Sequence, residues 1–277
     1  MALTHIVRLT SALWLLGPGS LPAQQVPASG QRIAAGARFL WLVCQGAGQP
    51  GVLLEAGHGE ASDTWVAVQS RVASFTRVCR YDRAGRGQSY PAAPGRGRHG
   101  RDVIADLHAL LTGAGEPGPL VLVGHSLGGA FVRLYAASHP DATAGLVLVD
   151  AVHEREFEAI DQLLTPEQRT GGAGTHPMSP EGIDIEGVFA ELREVNSQVA
   201  VPVVVVARGR PLQHDEMPPN WSSEQRRRRE ELRKSLQADL ATRFPRGELI
   251  VAAGSGHFVH HDRPDVVVIA IRKIVEA

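Results

Sequence analysis

Seven short apolar runs without polar alternation narrow the possible folds more than any other feature: Arg38–Cys44, Val52–Ala56, Thr76–Tyr81, Leu120–Gly124, Gly145–Asp150, Pro202–Ala207 and Leu249–Ala253. A strand with one wet face alternates apolar and polar residues. A continuous Val/Leu/Ile run suits a strand buried on both faces, as in a parallel sheet covered by helices. Helical periodicity falls between the runs. Asp102–Leu111 carries Val103, Ile104, Leu107, Leu110 and Leu111 at helical spacing, and Leu127–Ser138 stops before His139-Pro140, where proline forbids continuation. Pro264–Val275 has its proline in the first turn. The alternation predicts a doubly wound α/β architecture with a mostly parallel β-sheet.

Two stretches break the rhythm. Asp150 and Val201 are about fifty residues apart, too long for a plain connection in a compact domain. The stretch, about 151–200, reads as a helical insertion, a lid or cap, with a Gly/Pro-rich middle from Thr170 to Glu181. Glu224–Phe244 contains Arg226-Arg227-Arg228-Arg229, but Glu230, Glu231 and Asp239 are interleaved and Leu232, Leu236 and Leu240 recur every fourth residue. That is the solvated face of an amphipathic helix rather than a nucleic-acid surface. The balance of 28 Lys+Arg against 29 Asp+Glu, a net charge of −1, leaves no basic field for nucleic acid or an anionic membrane.

Residues 1–23 read as a secretory signal. His5 and Arg8 precede the short apolar run Leu9–Leu16, Gly17-Pro18-Gly19 breaks it, and Leu21-Pro22-Ala23 offers a small-residue cleavage site. The run is far shorter than the ~20 apolar residues that span a bilayer, so no stable membrane anchor is expected. The mature chain would be 24–277, secreted or periplasmic. In that compartment a Cys44–Cys79 disulfide is attractive; two buried thiols are the alternative.

The chemistry centres on Gly124-His125-Ser126-Leu127-Gly128, a G-x-S-x-G between a strand-like run and a helical segment. A sharp strand-to-helix turn holds its serine in a strained backbone conformation at the sheet edge, and the flanking glycines let neighbouring backbone pass. Three further segments stand in order around it: Leu53-Leu54-Glu55-Ala56-Gly57-His58-Gly59, Tyr81-Asp82-Arg83-Ala84-Gly85-Arg86-Gly87-Gln88-Ser89, and Gly256-His257 after the last run. With these landmarks the chain resembles the α/β-hydrolase superfamily, of the serine esterase or lipase kind with a helical lid, over essentially residues 38–277.

The resemblance implies roles. Ser126 is the nucleophile and His257 the base, with His260 and His261 as local rivals. The backbone N–H groups of Leu127 and His58 would form the oxyanion hole. Ala56 departs from the family's usual His-Gly-x-Gly, which puts the packing of that loop in question. The acid is ambiguous. Most relatives carry it after the penultimate strand, where this chain reads Arg208-Gly209-Arg210-Pro211-Leu212 and offers a carboxylate only at Asp215. Some carry it one strand earlier, which is Asp150. The reading prefers Asp150 and keeps Asp215 as the alternative; Asp82 is a turn-building residue in the family. Trp65, Phe157, Phe189 and Phe258 are candidate pocket residues.

No P-loop, dinucleotide fingerprint or zinc spacing occurs, so no cofactor and no metal are expected, a His257/His260/His261/Asp262 cluster being improbable. The expected protein is an exported serine hydrolase taking a small-molecule carboxylic ester through an acyl-enzyme. A peptidase-, amidase- or lactonase-like enzyme of the same fold is the runner-up. A noncatalytic binding protein that keeps the fold is a third reading.

Overall fold

The structure, a computed structural model, describes residues 29–91, 97–116, 118–169, 181–195, 199–213 and 217–277. The signal reading, Asp215 and most of the Gly/Pro-rich middle of the insertion lie outside the described residues.

All seven apolar runs form strands, preceded by one more. They are β1 (Gln31–Ala35), β2 (Arg38–Gln45), β3 (Gly51–Glu55), β4 (Val78–Asp82), β5 (Leu120–His125), β6 (Thr143–Val149), β7 (Val203–Arg208) and β8 (Gly247–Ala252). They make one sheet in the order β1-β2-β4-β3-β5-β6-β7-β8. Pairing is antiparallel between β1, β2 and β4 and parallel from β4 through β8. Strand β1 closes a hairpin onto β2 through Gly36, whose φ of 61° suits a two-residue turn. Cys44 and Cys79 stand directly opposite on β2 and β4 and are joined by a disulfide.

Continuous apolar runs are what two covered faces demand. Along β5, Leu120 and Leu122 enter one core with the helices α2 (Gly100–Ala114), α3 (Leu127–Ser138) and α7 (Ser223–Thr242). Val121 and Val123 enter the other, with α1 (Val66–Val72) and α9 (Pro264–Val275). The same alternation recurs along β6 and β7. Residues on β3, β5 and β7 are buried throughout, whereas the edge strands β1 and β8 are largely exposed.

Between β6 and β7 lie the short helices α4 (Glu156–Asp161), α5 (Pro166–Gln168) and α6 (Ile185–Glu194). Helix α6 packs Val188, Phe189 and Leu192 into the α2/α3 core. The arginine-rich run lies on α7, which carries a further, inward-facing arginine beyond it. Arg227 and Arg228 do face solvent and pair with Glu224, but Arg233 is buried. It stands with Leu236, Gln237 and Leu240 on the inward face of α7. The rival histidines His260 and His261 lie on a short helix before α9. This is α8 (Val259–Asp262), with His260 buried against Trp65 at 4.4 Å between ring centroids.

Candidate active site

Ser126 occupies the turn between β5 and α3 with φ 51° and ψ −119°. The only other non-glycine residue with positive φ among the described residues is Asp150, at φ 41° directly after β6. Such conformations cost on the order of 1–3 kcal/mol and persist only where the surroundings over-determine them. The motif glycines show how this is done. A Cβ at Gly124 would lie 2.5 Å from the Gly128 carbonyl oxygen, and one at Gly128 would lie 2.5 Å from that of Ala56. The elbow and the loop after β3 are therefore in direct backbone contact, which only glycine permits.

Asp150 is fully buried, and both of its carboxylate oxygens are engaged. Oδ2 accepts from His257 Nδ1 at 2.6 Å and from Arg233 Nη2 at 2.6 Å, while Oδ1 accepts from the Arg208 backbone N–H at 3.3 Å. Burial pushes the Asp150 carboxyl up, but Arg233 and His257 outweigh it and hold the group well below the usual carboxylate range. His257 sits after β8 beside the buried Ser255. Its Nδ1 is committed to Asp150, which leaves Nε2 as the basic nitrogen. Burial lowers the His257 value below that of a free histidine, with the neighbouring His125 adding to the effect and the Asp150 bond opposing it.

Around this pair the structure adds residues that carry no motif signature. His125 is buried and bridges two loops: its Nε2 donates to the His257 carbonyl at 3.0 Å and its Nδ1 faces Glu60 Oε2 at 3.0 Å. Glu60 also accepts from the Gly57 N–H at 2.6 Å. Burial opposes ionisation of Glu60, yet the His125 contact and the Gly57 bond keep its carboxyl below the ordinary value. Among the described residues no hydrogen bond engages the His58 N–H, whereas those of Gly57, Gly59 and Glu60 are taken. The His58 side chain is exposed. Leu127 is the first residue of α3, so its N–H has no intrahelical acceptor.

The rival histidines are held elsewhere. His260 Nε2 and His261 Nε2 both meet Thr64 Oγ1, at 2.7 and 2.8 Å. The turn after β7 places no described carboxylate near His257; Arg208 lies there and pairs with Glu230 at 2.7 Å. Of the candidate pocket residues, Trp65 and Phe189 are core residues, while Phe258 is exposed beside the His257 ring. Phe157 and Phe189 also border a cavity of about 760 Å³ between α4 and α6, with Glu158, Asp161 and Arg193. Glu60, His125 and His260 bring ligand-type atoms within 4.8 Å of one another and are the residues best placed to hold a metal ion.

The profile of the Alpha/beta hydrolase family matches residues 46–270. The chain belongs to this family. It is 25% identical over 231 residues to the uncharacterized protein YqjL of Bacillus subtilis (strain 168), covering 79% of this chain and 81% of that one. Among solved structures it matches a thermophilic esterase from Thermogutta terrifontis with a TM-score of 0.65 and 20% identity, over 90% of this chain and 98% of that one. It matches the enol-lactonase from Burkholderia xenovorans LB400 with a TM-score of 0.65 and 18% identity, over 89% and 100%. At these identities the structural likeness speaks for the shared α/β-hydrolase fold.

Within this α/β hydrolase, the structure joins two of the residues singled out in the sequence, His257 and Asp150, and sets Ser126 in the strand-to-helix turn, while the groups that hold them carry no motif. Arg233 had a readable signal: positions 233, 236, 237 and 240 follow the i, i+3, i+4, i+7 spacing of an inward face. An arginine on such a face needs a buried carboxylate. Glu60 and His125 had no comparable signal, because they meet each other across 65 residues and the other partner of His125 is a backbone carbonyl 132 residues away.

Proposed function

We propose that this chain is a serine hydrolase acting on carboxylic esters of small molecules. The observation that carries the reading is the hydrogen bond of 2.6 Å from His257 to the buried Asp150, together with Ser126 in a positive-φ strand-to-helix turn. In the first half-reaction Ser126 Oγ attacks the acyl carbonyl carbon while His257 Nε2 takes its proton. The negative charge that develops on the carbonyl oxygen is met by the N–H groups of Leu127 and His58. Collapse breaks the acyl–oxygen bond, and His257 returns the proton to the leaving alcohol. A water molecule, deprotonated by His257, then repeats the sequence on the acyl-Ser126 ester and releases the acid. Asp150 stays ionised throughout; it orients the ring and stabilises the imidazolium.

Esters are favoured because the structural neighbours include a thermophilic esterase and an enol-lactonase. Export is part of the reading and is supported by the Cys44–Cys79 disulfide, a bond preserved in oxidising compartments. Mass spectrometry of protein from its native host tests it, with Gln24 expected as the first residue and an intact Met1 refuting it.

The test of the activity is hydrolysis of p-nitrophenyl esters from acetate to laurate by the wild type and Ser126→Ala. Turnover lost in the variant is the expected result, and the chain-length optimum sizes the acyl pocket. Undiminished turnover in Ser126→Ala refutes the mechanism. A folded wild type that cleaves anilides or lactones but no ester moves the substrate class while keeping the nucleophile.

A further inference from the structure

The loop after β3 carries Ala56 at the histidine position of the His-Gly-x-Gly pattern, and a methyl group cannot hydrogen-bond the loop. Its geometry is nonetheless over-determined. Arg83, from the turn after β4, has five N–H donors and uses all five. Nε and Nη2 make a bidentate pair with Glu181 at 2.6 and 2.8 Å, and Nη1 donates to Glu55 at 2.5 Å. The remaining two reach main-chain oxygens: Nη1 to Ala56 at 2.6 Å and Nη2 to Gly57 at 2.6 Å. The side chains of Arg83, Glu55 and Glu181 are 2%, 0% and 0% exposed, so water does not compete for these bonds. Glu181 also accepts from the Gly59 N–H at 3.1 Å, and the Tyr81 hydroxyl donates to the second oxygen of Glu55.

The grip on the Gly57 carbonyl has a directional consequence. That carbonyl and the His58 N–H belong to one planar trans peptide unit and point opposite ways. Fixing the oxygen on Arg83 turns the amide away from Arg83. Its neighbours are occupied: the Gly57 N–H by Glu60 and the Gly59 N–H by Glu181. Of the four N–H groups from Gly57 to Glu60, only that of His58 is unengaged, and it lies on the peptide whose carbonyl Arg83 holds.

We propose that Arg83 is the positioning residue of the oxyanion hole, clamped between Glu55 and Glu181 so that the His58 N–H is presented to the substrate oxyanion. The clamp anchors a loop whose own residue at position 56 offers only a methyl group. It also ties the insertion between β6 and β7 to the chemistry, because Glu181 belongs to that insertion. The inference rests on the serine-hydrolase reading above.

The experiment compares the wild type, Ser126→Ala, Arg83→Lys and Glu181→Ala for kcat and KM on p-nitrophenyl acetate, for the rate of fluorophosphonate labelling, and for melting by circular dichroism. Lysine keeps the charge but has three donors on a point ammonium and cannot hold five acceptors in a plane. Arg83→Lys is expected to lower kcat on the order of 10²-fold, the effect of losing one oxyanion donor. KM should stay within about threefold, since the ground-state carbonyl is bound more weakly than the transition state. The labelling rate should fall in parallel. Should Arg83→Lys not fold, Glu181→Ala reads the same split, because it frees one side of the clamp and leaves the Arg83–Glu55 pair. A folded variant of either kind with kcat close to wild type overturns the proposal, as does a loss of Tm with turnover per folded molecule unchanged. Activity that survives in Ser126→Ala would instead overturn the underlying reading, which keeps the two failures distinct.

Discussion

Replacing Arg233 by Met probes the acid from behind. The Nη2–Oδ2 separation of 2.6 Å corresponds to an attraction of about 6 kcal/mol at an effective dielectric near 20. Desolvation of both ions offsets most of that, so the variant reads the cost of leaving a buried carboxylate without its cation, about 3–5 kcal/mol. For a domain of this size each kcal/mol shifts Tm by roughly 2–4 °C, so the midpoint should fall by about 6–20 °C. The pH dependence has a definite sign. Asp150 is depressed in the folded wild type, so its contribution is present above the unfolded carboxylate value of ~3.9 and is lost only as pH falls through the still lower folded value. In Arg233→Met the folded value rises, so the stability deficit is full at neutral pH and shrinks as acid protonates Asp150. Activity carries a second sign. Arg233 is one of the charges that disfavour the His257 imidazolium, so its removal should move the acid limb of kcat/KM to higher pH. Urea unfolding at several pH values and pH-stat turnover measure both. A deficit under about 1 kcal/mol at pH 7.5, a deficit that grows in acid, or an acid limb moving downward would refute the reasoning.

Asp150→Asn should lower kcat by on the order of 10⁴-fold by presenting the wrong partner to His257 Nδ1, while Asp215→Asn leaves it near wild type; steady-state kinetics decide, and the reverse ranking moves the acid. Gly128→Ala puts a Cβ 2.5 Å from the Ala56 oxygen and 2.6 Å from that of Glu55, both backbone atoms. It should displace the loop after β3 and destabilise by about 1–3 kcal/mol with a large loss of kcat, and unchanged turnover would disprove the contact. Cys44→Ser/Cys79→Ser opens a loop with a sequence separation of 35, worth roughly 4 kcal/mol on the chain-entropy account, so urea unfolding should show a loss of several kcal/mol with kcat intact.

The central strands were legible because burial on both faces leaves no room for polar residues, and β5 or β7 reads the same in one dimension as in three. Strand β1 was not, since Gln31 and Arg32 lie on an exposed edge and owe their conformation to pairing with β2. The turn at Ser126 was legible because its backbone conformation and the close approach of neighbouring chain force glycines on either side. The acid stayed ambiguous because two successive strands end near the same point in space. What separates them is that β7 ends in Arg208, whose side chain faces Asp150 and Glu230. The oxyanion-loop clamp was illegible for a related reason: Glu55 sits within an apolar run and Arg83 within a turn. Only folding reveals that they share one dry compartment with a residue about a hundred positions away, Glu181.

The position of Asp150 also bears on which parts of this molecule are free to change. An acid after β7 would freeze the connection from Gly209 onward, because every insertion there would move the histidine's partner. Here that connection meets Glu230 through the Leu212 N–H, and its first two residues hold the segment before His257, the Gly209 N–H donating to Ala252 and the Arg210 N–H to Ser255. The chain leaving β6 carries the opposite burden: Asp150 donates its own N–H to Val206, and Glu156, at the start of α4, shares Arg233 with it. Loop grafting or random insertion should therefore be better tolerated past Leu212 than at Gly209 and Arg210, and punished in the first half-dozen residues after β6. A library that diversifies both connections would show the difference as two separate survival rates.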